Sequence, residues 1–229
     1  MKTVIITGAS GNLGKVSVEK FVAEGYKVIA TVTPGKSLGF EVTGNVDTYD
    51  ADLTDEKSVE RVTTAIISKY KTIDAALLLV GGYASGGLKE TDGATLKKMF
   101  TLNFDTAYFV ARPVFQQMLS QSNGGRIIFI GSRPALKPKQ ANKSLGYALS
   151  KSLLFNLADA LNEAGSTHNV TASVIVPSTI DTPVNRQFMP DADFSTWVKP
   201  EEIADAMAHI CSDISKPWRE TVLKIYGRS

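Results

Sequence analysis

The sequence predicts an α/β fold, a doubly wound parallel sheet of about seven strands with helices on both faces. Three observations lead there. Short runs dense in Val, Ile and Leu recur along the 229 residues and alternate with stretches of helical period. Several of these runs are apolar nearly throughout, as strands covered on both faces require. A glycine-rich turn joins the first run to the first helical stretch.

The strand runs are Thr3–Thr7, Lys27–Val32, Val46–Asp50, Ile73–Val80, Arg126–Gly131, Val170–Val176 and Val222–Tyr226. Between them, Leu13, Val16, Val18, Phe21 and Val22 line a first helix, and Val59, Val62 and Ile66 share one face of a second. A long helical stretch carries Leu96, Phe100, Ala107, Val110, Val114 and Met118 on one stripe. Another helix runs from about Gly146 to Glu163, and a last one, Glu201–Ser212, starts after Pro200, a residue suited to a helix start. Two stretches read as irregular. Pro34–Asn45 is a polar, glycine-containing loop, and Pro177–Lys199 is long enough to serve as a lid or binding segment. No linker or repeat divides the chain, so residues 1–229 read as one domain with a substrate loop at about 177–199.

Composition removes several classes. The net charge is +2 with scattered basic residues, which argues against nucleic acid or an anionic membrane as partner. The longest apolar run, Ala75–Val80, is too short to span a bilayer, and Val4-Ile5-Ile6 is too short for a secretory leader. Cys211 is the only cysteine, which excludes an internal disulfide and a thiolate metal cluster. His168 and His209 lack partners at ligand spacing, so no metal is expected and a cytoplasmic protein is.

Thr3–Thr7 runs directly into Gly8-Ala9-Ser10-Gly11-Asn12-Leu13-Gly14, followed by a helical pattern. Glycines allow a tight turn and close backbone approach, while a helix N-terminus offers unpaired N–H groups to a pyrophosphate. A glycine turn alone is a weak signal; its place after the first strand of an alternating chain points to a dinucleotide. At the end of the second strand, where NAD-binding sheets place an acidic residue, the sequence reads Thr31-Val32-Thr33-Pro34-Gly35-Lys36. The missing carboxylate, with Lys36 and Lys15 close by in sequence, leans toward NADP over NAD.

Tyr147 and Lys151 are four apart on a predicted helix and so share a face. A tyrosine near pKa 10 is a poor acid or base at neutrality, and a nearby ammonium would lower that value. Downstream of a dinucleotide turn, this pair reads as a proton donor and its lysine. Ser132 follows the apolar strand ending at Gly131, at a carboxyl strand end where open α/β sheets bind ligands. Its hydroxyl is placed to hold a substrate carbonyl, or it is a turn serine. Asn103 falls on an apolar helical stripe, where an amide must be satisfied. Either it is a structural asparagine or it anchors Lys151 through its backbone carbonyl and a water.

In order and spacing, TGASGNLG, Asp52-Leu53, Asn103, Ser132, Tyr147 and Lys151 resemble the short-chain dehydrogenase/reductase family over essentially the whole chain. The resemblance implies a Rossmann-type sheet, a nicotinamide cofactor and a catalytic Tyr147, Lys151, Ser132 and Asn103. Departures from the mainstream pattern are specific: Gly8-x-x-Gly11-x-x-Gly14, Gly81-Gly82-Tyr83 in place of Asn-Ala-Gly, and Pro177-Ser178 in place of Pro-Gly. These, with Asp181–Arg186 and Met189–Trp197, are similar to the dihydropteridine reductase branch. That branch carries tryptophan where Tyr83 stands, lacks the serine at Ser132, and has aspartate at Thr33. By resemblance the cofactor contacts fall on Gly8, Ser10, Gly11, Asn12, Leu13, Gly14, Thr33, Asp52, Leu53, Gly81, Gly82, Pro177 and Thr182, with Asp52 at the adenine. Substrate contacts fall on Tyr83 and Trp197.

The resulting expectation is an NAD(P)H-dependent reductase passing hydride to a pterin or similar flat carbonyl or imine compound. The alternatives are a reductase for an unrelated alcohol or ketone, and a catalytically silent cofactor-binding regulator. The resemblance implies a homodimer or homotetramer built on the helices Leu96–Leu119 and Tyr147–Glu163, with Phe109, Phe115 and Phe155 as contacts.

Overall fold

A computed structural model describes residues 1–41 and 44–228. The chain winds β1 (Thr3–Thr7), α1 (Asn12–Ala23), β2 (Lys27–Val32), β3 (Val46–Asp50), α2 (Glu56–Tyr70) and β4 (Ala75–Leu78). There follow α3 (Gly93–Phe100), a π-helical turn over Thr101–Asp105, α4 (Thr106–Ser120), β5 (Gly125–Ile130), α5 (Pro138–Ala141) and α6 (Leu145–Gly165). The last elements are β6 (Val170–Pro177), α7 (Pro183–Phe188), α8 (Pro200–Ile210) and β7 (Val222–Ile225). All seven strands pair in parallel in the order β3-β2-β1-β4-β5-β6-β7, the Rossmann-type sheet that the alternating pattern implies. Among the described residues no helix is long and apolar enough to cross a membrane.

Because side chains alternate along a strand, each central strand feeds two cores. Ile5, Ile29, Ile127 and Phe129 pack with Ile66 of α2, Val114 and Met118 of α4 and Leu154 of α6. Val4, Ile6, Val28, Leu77 and Ile128 pack on the other face with Phe21 of α1 and Met207 of α8. Burial of the sheet on both sides is why these strands are continuously apolar.

Four expectations are corrected. β4 is four residues long rather than eight, because the polypeptide turns away at Leu79 to reach the glycine pair beyond it. The helical stretch through Leu96 and Met118 is broken by the π turn, whose extra residue resets the stripe: Met99 is buried and Phe100 only partly. Phe115 is mostly buried, packed into the core while also lining the groove between α4 and α6, rather than standing out on the outer face. Pro177–Lys199 is not structureless, since it contains α7 and a 3-10 turn at Phe194–Thr196. Pro34–Asn45 is irregular where described, with Val42 and Thr43 outside the described residues.

Candidate active site

All strands of a parallel sheet end on one edge, and here the connections change direction between β1 and β4, opening a crevice beyond their carboxyl ends. Thr7 closes its floor: its hydroxyl donates to the Leu77 carbonyl at 3.3 Å and accepts the Leu79 N–H at 2.9 Å.

The turn after β1 brings Gly8, Ser10, Gly11, Asn12, Leu13 and Gly14 together. Gly8 takes φ +64°, a left-handed value that costs glycine little, and its carbonyl accepts the Gly11 N–H at 2.9 Å. A Cβ on Gly14 would lie 2.1 Å from the Gly8 oxygen, so α1 packs on the turn at a distance only glycine permits. α1 has neither a side-chain cap nor an acidic residue in its first turn, which leaves its leading amides to an anion. This cradle fits a nucleotide pyrophosphate.

At the adenine side, Thr33 is exposed just past β2, Leu53 is buried and Asp52 is exposed. The Thr54 hydroxyl (2.7 Å) and N–H (2.9 Å) both donate to the Asp52 carboxylate and hold it below its ordinary pKa. One carboxylate was not legible near Thr33. Parallel pairing sets Asp50 opposite Val32, and its Oδ2 accepts the Gly35 N–H at 3.4 Å. Lys15 Nζ lies 5.3 Å from the centre of the Phe40 ring.

Beyond β4, Gly81 and Gly82 meet the π turn. Asn103 is fully buried there: Oδ1 accepts the Gly82 N–H at 3.0 Å, and Nδ2 donates to the Gly82 carbonyl at 2.9 Å. Nδ2 also reaches the Ser150 hydroxyl at 3.1 Å, and that hydroxyl donates to the Tyr147 carbonyl at 2.9 Å. A Cβ on Gly81 would sit 2.6 Å from Asn103 Oδ1 and 3.0 Å from Lys151 Nζ; one on Gly82 would sit 2.9 Å from Leu102. The Asn103 side chain thus makes a relay to the Tyr147 turn. Lys151 is held elsewhere, its Nζ donating to the Ile130 carbonyl at 2.7 Å.

Tyr147 and Lys151 stand one turn apart on α6, with Lys151 only 4% exposed. Burial pushes the Lys151 ammonium down to about 8 and the Tyr147 phenol up to about 12. Ser132, past the end of β5, opposes that rise in the phenol. Its buried Oγ forms no fully aligned hydrogen bond among the described residues, so the contact with Tyr147 is proximity rather than a well-directed bond. The Lys151 ammonium keeps its place on the same face of α6 through its bond to Ile130.

Tyr83 is 66% exposed and sets its ring edge-to-face on Tyr147, 5.1 Å between centres. Trp197 is 8% exposed with its ring 4.8 Å from Phe194, so it faces protein. Pro177 ends β6, and Thr182 caps α7 by accepting the Asn185 N–H at 3.2 Å. Sequence reasoning missed Thr7, Ser150 and the Ile130 carbonyl. Ser150 is flagged only by its place beside Lys151, and a backbone carbonyl leaves no mark in a sequence.

The short chain dehydrogenase family model matches residues 2–193. An acetoacetyl-CoA reductase of Acinetobacter sp. (strain RA3849) is 29% identical, over 93% of this chain and 91% of that protein. A dihydropteridine reductase of Dictyostelium discoideum is 25% identical, over 100% of this chain and 96% of its own. Among solved structures, "ElxO with NADP Bound" superposes with a TM-score of 0.90 at 22% identity, over 99% of this chain and 97% of that one, a likeness of fold.

Proposed function

The chain belongs to the short-chain dehydrogenase family and is an NAD(P)-dependent oxidoreductase, and from that premise we propose that it reduces a flat conjugated carbonyl or imine of the pterin class. The exposed face of Tyr83 beside the Tyr147 phenol carries this reading. An aromatic ring there stacks on a planar substrate and leaves the reacting atom against the proton donor.

The Gly8–Gly14 turn, with Gly81 and Gly82, would hold the cofactor, which supplies the hydride when bound. Thr33, Asp52, Leu53, Pro177 and Thr182 line its outer contacts. Ser132 donates its hydroxyl to the substrate oxygen, and Tyr147 gives its proton to the atom that gains negative charge. Lys151, fixed by Ile130, places a cation beneath that proton transfer. Asn103 acts through Gly82 and Ser150, holding the β4 turn and the Tyr147 turn in register. NADP is the preferred form, since no side-chain carboxylate follows β2 directly and Asp50 is engaged with Gly35. Self-association uses the outer faces of α4 and α6, where Leu149 is exposed and Tyr108 lines, with Phe115, a groove of about 190 Å³ that reaches Leu157 and Leu161.

A second reading rests on Ser132. A buried, imperfectly bonded hydroxyl beside Tyr147 suits an ordinary ketone, as in a 3-oxoacyl thioester. Oxidation of NADH and NADPH with quinonoid dihydropterin and with acetoacetyl-CoA separates the two. Turnover of the pterin, with its KM raised about tenfold by Tyr83→Ala, supports the first; turnover of the thioester alone overturns it.

A further inference from the structure

The stretch that follows β7 fastens the loop between β6 and α8 at both ends. β7 pairs with β6 so that Ile225 faces Pro177. Ser178, the first residue beyond β6, donates its N–H to the Ile225 carbonyl at 2.9 Å and its hydroxyl to the Tyr226 carbonyl at 2.7 Å. Two residues on, the Arg228 N–H donates to the Thr196 carbonyl at 3.1 Å, where the loop returns. Between them Gly227 has φ +58°, and a Cβ there would lie 2.5 Å from the Thr196 oxygen. The same stretch reaches the reacting centre: the guanidinium of Arg133, which directly follows Ser132, lies 5.4 Å from the centre of the Tyr226 ring.

Within the loop, short contacts close the base and brace the middle. The Asp181 N–H donates to the Val198 carbonyl at 2.8 Å, and the Val198 N–H to Thr179 at 3.0 Å. Arg186 forms a bidentate pair with Asp181 (2.6 and 2.7 Å) and lies over Phe194, 4.8 Å from its centre. A loop of this length is costly to order upon binding, and one already ordered spares the substrate that cost.

We propose that Gly227, with the backbone of Tyr226 and Arg228, is a positioning element for the substrate loop. It holds residues 178–196 against the shoulder of Ser132 and so sets substrate affinity from outside the site. The proposal rests on the reading of Ser132 and Tyr147 as the reacting centre. Gly227 is required because the clasp needs both a left-handed backbone and an approach to Thr196 that no side chain allows.

The test uses Gly227→Ala and Arg228→Pro, which removes the N–H bonded to Thr196, with Arg228→Ala as a control that keeps it. In both clasp variants, hydrogen exchange at Asp181 and Val198 should accelerate about tenfold or more, one to two hydrogen bonds' worth, while α6 keeps its protection. KM for whichever probe is turned over, quinonoid dihydropterin or acetoacetyl-CoA, should rise about tenfold with kcat within about twofold. Arg228→Ala should match wild type in both readouts. Unchanged exchange at Asp181 and Val198, or equal acceleration throughout α6, overturns the proposal. If wild type turns over neither probe, the functional reading fails while the exchange measurement still decides the clasp.

Discussion

The centre of the sheet's carboxyl edge and its flank are built from different materials. At the centre, beyond β1, β4 and β5, the framework is fixed by contacts to backbone: Gly14 on the Gly8 carbonyl, Asn103 on both polar groups of Gly82, and Lys151 on the Ile130 carbonyl. At the flank, beyond β6 and β7, exposed side chains such as Val184, Phe188 and Met189 ride on a loop held by main-chain clasps at its two ends. The centre has little room for change without loss of geometry, whereas the flank can be resurfaced while its clasps stay intact. That division lets one fold keep its chemistry and exchange its substrates.

The sharpest way to break the comparison is to remove reactivity at the centre while sparing its structure. Tyr147→Phe deletes one oxygen and keeps the ring that meets Tyr83. Turnover should fall about 10²–10⁴-fold, the usual worth of a positioned acid, with NADPH binding retained in a fluorescence titration. Retained turnover would move the proton donor elsewhere.

Next in size is the framework itself. Asn103→Ala removes a fully buried amide and its two bonds to the half-buried Gly82 N–H and carbonyl, and should lower stability by about 1–3 kcal/mol. Chemical denaturation measures it, and kcat should fall with it because the Ser150 relay to the Tyr147 turn is cut. Val184→Ala on the flank should change stability by no more than about 0.5 kcal/mol, as exposed positions do. Equal losses at the two positions would erase the contrast.

How far each region can be read in the sequence follows the same division. β1, β2 and β3 have the boundaries their sequence runs predict. β1 and β2 are apolar nearly throughout because they are buried on both faces, whereas β3 is a half-exposed edge strand with polar residues between Val46 and Tyr49. Tyr147, Lys151, Ser132 and the glycine turn lie together because motif and fold reinforce each other. What stayed hidden depends on register or on backbone. The π turn that drives Asn103 inward adds one residue without a compositional mark. Asp50 reaches the β2 turn only through its pairing opposite Val32, and Ile130 acts through a carbonyl every residue has. Phe115 was misplaced because the buried face of α4 is wider than the one stripe, taking in Ala111 and Phe115 beside Val110, Val114 and Met118. The clasp after β7 joins residues 30 to 50 apart by main-chain bonds and could not be read at all.

A pH measurement tests how strained the centre is. Burial holds the folded Lys151 near 8, below its ordinary value of 10.5, so the unfolded chain binds more protons between those values. Stability contributed at this site therefore rises as pH climbs from about 8 to 10.5. Tyr147 works oppositely: its folded pKa is raised to about 12, so its contribution declines from about pH 10 upward. Taking wild type minus Lys151→Met isolates the lysine. The difference should shift in favour of wild type by on the order of 1–3 kcal/mol between pH 8 and 10. A flat difference would mean that Lys151 is no less comfortable when charged than it is in water.

The smallest expected effect belongs to the flank of the cofactor cradle. Thr33 is exposed at the end of β2, with Lys15 and Lys36 as the basic groups close in sequence. A carboxylate there repels a 2′-phosphate and accepts ribose hydroxyls, so Thr33→Asp should move the NADPH-to-NADH ratio of kcat/KM toward NADH by about tenfold, near 1.4 kcal/mol. Asp50 gives the experiment its internal check. Its carboxylate sits at the same turn, held by the Gly35 N–H. If it already faces the ribose, Thr33→Asp adds little and Asp50→Asn instead shifts the ratio toward NADPH. If Asp50 serves only to close the turn, Asp50→Asn weakens both cofactors alike and the Thr33 substitution carries the whole switch.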